Sequence, residues 1–324
     1  MTTRPILVSG LKSTGRPHLG NYFGALKNWI SHQDSYDCRF FIADLHALTV
    51  QDPIIPHLGS VGFEVVLDFL ALGLDPQKAT IYRQSDVPEV TELMWYFSPL
   101  ITVPYMMRAH AYKDIEAKGG EVSVKTFMYP VLMSADILMH NAVLVPVGKD
   151  QSQHLEIARD IAQKFNHHHG ETFAIPKSYI DPKTAIVPGV DGRKMSKSYK
   201  NTIPLFSDEE TIKKQIMSIV TDSKGVQDVK DTETCTIIAL LRLVGTPEVV
   251  ADVENRYRTG GIGYKEAKDT LYQEVIRFLS PMWERRKKLA ENPEVVHAML
   301  KEHAERVRKD TKPLLEDVRR KIWA

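Results

Sequence analysis

The sequence predicts an α/β protein: a doubly wound, Rossmann-like parallel sheet followed by an all-helical C-terminal part. Two observations predict the sheet. Short apolar runs alternate with stretches of helical periodicity, and glycine or polar residues follow the apolar runs. A third observation predicts the helical part, because helical spacing dominates after residue 206. We therefore expect a catalytic domain over residues 1–206 and a helical domain over residues 207–324.

Four apolar runs are predicted to be buried strands: Pro5–Leu11, Cys38–Ala43, Thr80–Arg83 and Ala142–Val147. Helical spacing begins at His18 and recurs from about His57 to Leu72 and from Gln151 to Phe165. Ligands of parallel sheets bind outside the carboxyl ends of the strands. Such ends are predicted at Ser9-Gly10, Asp44 and Gly148-Lys149-Asp150, which makes these residues candidates for a ligand site.

The helical part is predicted to begin with a capping box, in which Ser207 is the N-cap and Glu210 is the N3 residue. Four helices are then predicted, over Ile212–Val220, Thr236–Leu243, Tyr264–Leu279 and Glu294–Lys321. We expect the last of them to be able to pack back on the catalytic domain.

Composition excludes several classes of protein. The 42 Lys and Arg nearly cancel the 41 Asp and Glu, so bulk charge does not indicate a nucleic-acid partner. Cys38 and Cys235 cannot form a disulfide scaffold or a four-thiolate site. The sequence shows neither a signal peptide nor a long apolar run, which predicts a soluble cytoplasmic protein without membrane contact. We interpret His167-His168-His169 as a solvated loop after a helix end, not as a metal site.

A glycine-rich cluster lies between the first predicted strand and helix. It contains Gly10, Lys12, Gly15, His18, Gly20 and Asn21. Glycines allow a phosphate to approach the backbone, and free amides at a helix start favour anionic oxygens. The cluster matches neither a Walker loop nor a dinucleotide fingerprint, so alone it is also compatible with an ordinary strand-to-helix turn.

A second cluster, Lys194-Met195-Ser196-Lys197-Ser198, follows a glycine-containing segment. Its cations suit a mobile clamp for phosphates that gain charge as a bond breaks. Alone, it would be read as a solvated charged surface. Together, His18-Leu19-Gly20-Asn21 and residues 194–198 closely resemble the HIGH and KMSKS signatures of class I aminoacyl-tRNA synthetases, in the right order and about 175 residues apart.

Three segments between these signatures resemble those of tryptophanyl-tRNA synthetases: Asp44–Thr49, Tyr129–Leu138 and Val145–Gln151. The resemblance is dense from about Ile6 to Asp222 and weaker beyond. Asp136 and Met133 share a helix face, and a carboxylate beside a thioether complements the N–H and the apolar face of an indole. The resemblance implies that Asp136 accepts the indole N–H. The alternative, a helix cap or core ion pair at Asp136, stays open.

The resemblance implies two sets of binding residues. The tryptophan set is Ser9, Ala43, His46, Tyr129, Met133, Asp136, Val145, Val147 and Gln151. The ATP set is Gly10, Lys12, Gly15, His18, Gly20, Asn21, Gly148, Asp150, Lys194, Met195, Ser196, Lys197 and Ser198. Catalytic roles fall to His18, Lys113, Lys194 and Lys197.

The resemblance also implies Mg²⁺ carried by the ATP phosphates, tRNA(Trp) as partner, a homodimer and an anticodon-reading helical domain. An iron–sulfur cluster is excluded, since that domain has only Cys235. Two departures are visible: Lys149 replaces a common Glu, and Lys12-Ser13 replaces a common Gln-Pro. Three alternatives stay open, namely a tyrosine–tRNA ligase, an adenylating paralogue that does not charge tRNA, and a binding protein.

Overall fold

A computed structural model of the protein describes residues 4–11, 15–48, 58–117, 122–146, 152–179 and 186–324. Their strands are β1 (Ile6–Leu11), β2 (Asp37–Ile42), β3 (Ala79–Arg83), β4 (Leu144–Pro146) and β5 (Lys177–Tyr179). All pair in parallel in one sheet of order β3-β2-β1-β4-β5. The chain thus winds one way from β1 to β3 and the other way from β4, which confirms the predicted doubly wound α/β fold.

Helices surround and extend this sheet. The short helices α1 (Leu19–Asn21) and α2 (Lys27–His32) flank a π-helical turn, Tyr22–Leu26. The next are α3 (Asp44–Ala47), α4 (Leu58–Leu72), α5 (Glu89–Phe97), α6 (Val103–Met106), α7 (His110–Ala117), α8 (Val124–Leu138) and α9 (Ser152–His169). The C-terminal part contains α10 (Glu209–Met217), α11 (Thr236–Val244), α12 (Pro247–Thr259), α13 (Tyr264–Ala290) and α14 (Pro293–Trp323).

The central strands are apolar because helices cover both faces of the sheet. Cys38, Phe40 and Ile42 on β2 are fully buried. Arg39 is a buried charged residue on this strand, and its charge is paired. It donates to His140 Nδ1 at 3.1 Å and to Asp310 on α14 at 3.2 Å. The long C-terminal helix is therefore attached to the middle of the sheet.

Two local predictions were wrong. Helix α9 continues to His169, so the three histidines form its last turn instead of a loop after its end. The N-cap of α10 is Asp208 instead of Ser207, because the Asp208 side chain accepts a hydrogen bond from the Thr211 backbone N–H at 2.7 Å. Helix α12 and strand β5 were not predicted.

The two parts of the chain share a hydrophobic cluster that runs from β1 to α14. Leu205 at the expected boundary is fully buried, and its carbonyl accepts the Trp283 indole N–H at 2.7 Å. Helix α14 returns to the sheet, where His303 Nδ1 accepts from the Ile81 backbone N–H at 2.9 Å. Within the described ranges, every helix is too short or too polar to cross a membrane.

Candidate active site

The carboxyl ends of four strands meet at one edge of the sheet. Ser9 on β1 donates from Oγ to the carbonyl of Pro146 on β4 at 3.3 Å. Asp44, just after β2, accepts from its neighbour Leu45 N–H and from Ser85 N–H beyond β3, both at 3.0 Å. These bonds hold the carboxyl ends of the strands at a fixed spacing. This edge of the sheet is where parallel sheets bind ligands.

Asp136 on α8 provides a buried acceptor at this edge, with 1% of its surface exposed. Its Oδ2 lies 2.8 Å from His46 Nε2, and Gln84 Nε2 donates to Oδ1 at 2.7 Å. Burial raises the pKa of Asp136, whereas the hydrogen bonds from His46 and Gln84 act against that rise. A carboxylate has about four acceptor positions, so these partners leave room for another donor.

An apolar surface lies near this carboxylate. Met133, one helical turn before Asp136, is half-buried and packs in a cluster with Val8 and Val145. Ala43 is buried at the end of β2. A thioether and aliphatic side chains beside a buried acceptor form a surface suited to a flat apolar ring that carries one N–H.

Tyr129 begins the polar side of the same site. Its hydroxyl lies 2.7 Å from His154 Nε2 on α9, and its ring centroid lies 6.2 Å from that of His46 in an edge-on arrangement. Helices α8 and α9 therefore fix the Tyr129 ring beside the histidine that contacts Asp136. Among the predicted residues, Ser9, His46, Tyr129, Met133 and Asp136 are brought to one edge.

Gly15 is the first described residue of the segment that is predicted to bind ATP, and its φ of +86° is one that residues with a side chain rarely adopt. His18 then starts α1, and its backbone N–H donates to Asn21 Oδ1 at 3.1 Å. The Asn21 side chain, which the sequence assigns to the ATP set, thus serves at least to cap this helix. The His18 ring is buried, and its Nδ1 has no hydrogen-bond partner among the described residues.

The charge state of His18 follows from its surroundings. Burial, and to a smaller extent the nearby Lys197 ammonium, lowers the pKa of His18 to about 4. His18 is therefore neutral at neutral pH. A buried ring nitrogen without a partner costs free energy, so a ligand atom that bonds Nδ1 would be favoured.

The two signatures, 175 residues apart in sequence, are in contact. The Gly20 backbone N–H donates to Met195 Sδ at 3.2 Å. A Cβ at Gly20 would lie 2.9 Å from His18 Nδ1 and 3.1 Å from Met195 Cβ, so glycine is required for this approach. A Cβ at Gly15 would lie 3.3 Å from Lys197 Nζ, which places that ammonium beside the first loop.

The family of the chain follows from comparison with known proteins. The sequence matches the model of class I tRNA synthetases (W and Y) over residues 1–280. It is 44% identical to the tryptophan–tRNA ligase of Rhodopirellula baltica, over 97% of this chain and 98% of that protein. It is 43% identical to that of Campylobacter jejuni, over 98% and 99%. The chain belongs to the tryptophanyl-tRNA synthetase family.

Solved structures of the family share the fold. A tryptophanyl-tRNA synthetase from Campylobacter jejuni, crystallised with ADP and tryptophan, superposes with a TM-score of 0.93 at 42% identity. The match covers 98% of this chain and all of that one. A tyrosyl-tRNA synthetase from Archaeoglobus fulgidus gives 0.67 at 18% identity over 87% and 90% of the two chains, which shows the shared fold alone.

Several predicted residues are not placed in this site by the structure. Lys12, Val147, Gly148, Asp150 and Gln151, together with Lys149, lie outside the described residues. Lys113 is exposed on α7, and its approach to the nucleotide stays a prediction. Gly10 faces Phe41, whose ring a Cβ would meet at 2.5 Å. Lys194 and Ser198 are exposed on the loop, and Ser196 is partly buried.

Three residues of this site, Gln84, His154 and Asn201, were not predicted from the sequence. Gln84 could have been found, because it follows strand β3 at the same sheet edge as Asp44. His154, on α9, and Asn201, three residues after the KMSKS segment, carry no signal beyond a polar side chain. The contact with Tyr129 identifies His154, and the contact with Ser196 identifies Asn201.

Asn201 organises the KMSKS loop. Its Oδ1 accepts from the Ser196 N–H at 2.8 Å, and its Nδ2 donates to the Lys194 carbonyl at 3.1 Å and to Asp191 Oδ1 at 2.6 Å. A Cβ at Gly189 would lie 2.2 Å from Asn201 Nδ2, so the loop closes tightly around this amide. Asn201 is 1% exposed.

Asn201→Ala is expected to lower the rate of adenylate formation about tenfold, because the loop loses bonds that each contribute about 0.5–1.5 kcal/mol. Pyrophosphate exchange kinetics would measure the loss, with Asn255→Ala on the exposed surface of α12 as a control. An unchanged rate in the first variant would show that the lysines are positioned without this amide.

Proposed function

We propose that this site activates L-tryptophan with ATP, giving tryptophanyl-adenylate and pyrophosphate, and then transfers tryptophan to the 3′ end of tRNA(Trp). One observation carries the proposal. The glycine-rich segment and the KMSKS segment meet through the Gly20–Met195 contact, with the Lys197 ammonium beside Gly15. A neutral imidazole and an ammonium group, both suited to phosphate oxygens, are thereby gathered at one place.

In this proposal Asp136 selects the substrate by accepting the indole N–H. Met133 contacts the ring, while His46 and Gln84 hold the carboxylate in place. Ser9, Ala43, Val145 and Val147 line the pocket, and Tyr129 and Gln151 contact the amino-acid end. A pocket whose buried acceptor needs a donor discriminates strongly against substrates without one, because the acceptor is then left unpaired.

The chemical step needs no covalent intermediate with the enzyme. The tryptophan carboxylate attacks the α-phosphate in line and expels pyrophosphate, so the contribution of the protein is positioning and charge neutralisation. His18 bonds a phosphate oxygen as a neutral donor. Lys194, Lys197 and the mobile-loop Lys113 neutralise the leaving pyrophosphate, and Mg²⁺ enters with ATP as part of the substrate. Gly148 and Asp150 contact the ribose.

The second step involves tRNA. A hydroxyl of the 3′-terminal ribose attacks the adenylate carbonyl and gives up its proton, the bond between the carbonyl carbon and the phosphate oxygen breaks, and AMP leaves. The helical part, residues 207–324, reads the anticodon. A homodimer, in which the two ends of one tRNA contact different subunits, is part of the same proposal and rests on the resemblance to the family. Action in the cytoplasm is also part of this proposal.

Exchange of labelled pyrophosphate into ATP, run with each amino acid separately, tests the proposal. Tryptophan alone is expected to support exchange, and charging of tRNA(Trp) is then measured directly. Exchange with tyrosine would mean that the pocket is misassigned. Normal exchange without tRNA charging would identify an adenylating paralogue, and no exchange would remove the assigned chemistry.

A further inference from the structure

A buried carboxylate on α4 connects the nucleotide loop to the helical part of the chain. Asp68 is fully buried. Arg16, in the loop before His18, donates to it from Nε at 3.1 Å and from the terminal guanidinium nitrogen at 2.9 Å. Arg286 on α13 donates from Nε at 2.6 Å. A buried charge is tolerated when it is paired in this way, and here the two partners come from different parts of the protein.

An aromatic ring completes the arrangement. The guanidinium carbon of Arg16 lies 5.2 Å from the centroid of Phe206, and that of Arg286 lies 5.6 Å from it. Phe206 is buried where the catalytic and helical parts meet. Arg286 also pairs with Glu64 on α4. We call Asp68, Arg16, Arg286 and Phe206 the Asp68 clasp.

The clasp lies next to the groups assigned to ATP. Arg16 is bonded to Gly15, the residue beside Lys197 Nζ, and is two residues from His18. Holding the Arg16 side chain therefore restricts the backbone of the loop between Gly15 and His18. Asp68 also acts on Lys197 directly, since its charge raises the pKa of that lysine against the lowering effect of burial.

We propose that the Asp68 clasp is a positioning device for ATP, through which helix α13 fixes the loop Gly15–His18 against the KMSKS segment. The proposal rests on the assignment of that loop to ATP. In this proposal the members of the clasp act through His18 and Lys197 and not by contact with the substrate. Weakening the clasp should therefore impair the ATP site and leave the tryptophan pocket around Asp136 unaffected.

Arg286→Gln tests the clasp in the full-length protein. This substitution leaves the Arg16–Asp68 pair in place and removes the charged side chain with which helix α13 contacts Asp68. The KM for ATP in tryptophan-dependent pyrophosphate exchange is expected to rise about tenfold, with the KM for tryptophan changed less than twofold. Arg285→Gln is the matched control, because Arg285 also joins α13 to α4, by donating to the Ala71 carbonyl at 2.8 Å, but does not contact Asp68.

A double-mutant cycle sharpens the test. Arg16→Gln and Arg286→Gln together should raise the KM for ATP by less than the product of their separate effects, since both act through Asp68. Equal effects of Arg285→Gln and Arg286→Gln, or parallel rises in both KM values, would overturn the proposal in favour of plain helix docking. If the unmodified protein shows no exchange, the assigned reaction fails, and calorimetric ATP binding to the same variants decides about the clasp.

Discussion

Lys197→Ala is expected to lower the rate of tryptophanyl-adenylate formation by about 10²–10³, the usual loss when one preorganised charge-stabilising donor is removed. The Lys197 ammonium lies beside Gly15, where the phosphates are expected, and its charge matters most as pyrophosphate separates. Affinity for tryptophan should change little, because an interaction that strengthens only in the transition state affects kcat. Single-turnover adenylate formation and calorimetric tryptophan binding measure the two quantities.

Lys200→Ala is the matched control for this experiment. Lys200 is an exposed cation three residues further along the same loop, in a left-handed backbone conformation with a φ of 53°. Its removal changes the net charge of the loop equally, and we expect the rate to stay within twofold. Similar losses in the two variants would indicate a general electrostatic effect. Equal losses of rate and tryptophan affinity at Lys197 would indicate static binding.

The sheet could be predicted from sequence because each of its central strands is a mainly apolar run of neighbouring residues. Strands β1, β2 and β3 are apolar runs with polar residues shortly after them, and each end lies within one residue of its predicted position. The edge strand β5, Lys177–Tyr179, is short and largely exposed, so it leaves no apolar run to find. The start of α10 was misplaced because Ser207 and Asp208 are both good N-caps, and only the bond to Thr211 distinguishes them.

The site could be predicted in part, through its motifs. Gly20 is explained by the close approach of His18 and Met195, but no local pattern reveals an approach across 175 residues. Gln84 bonds Asp136 across 52 residues, and Asp68 bonds Arg286 across 218. A polar residue at a buried position needs a partner, and the fold alone determines which one.

Asp136→Asn is expected to reduce the preference for tryptophan over phenylalanine, measured as a ratio of kcat/KM values, by roughly 10- to 150-fold. This range corresponds to the 1.5–3 kcal/mol that a hydrogen bond to a charged group contributes. The two oxygens of Asp136 already accept bonds from His46 and Gln84. An amide NH₂ in place of one oxygen would face one of these donors, so the new side chain cannot satisfy both and also accept the indole N–H.

Pyrophosphate exchange with each amino acid measures this preference, and Ser134→Ala is the control. Ser134 lies on the same helix, is fully buried and donates to the Pro130 carbonyl at 2.8 Å, so its loss perturbs α8 without removing an acceptor from the pocket. The control should retain the preference. An unchanged preference in Asp136→Asn would show that Asp136 serves as a core partner of His46, and that the indole is recognised by shape. A lost preference would show that the specificity for tryptophan depends on the Asp136 carboxylate, which His46 and Gln84 hold in position.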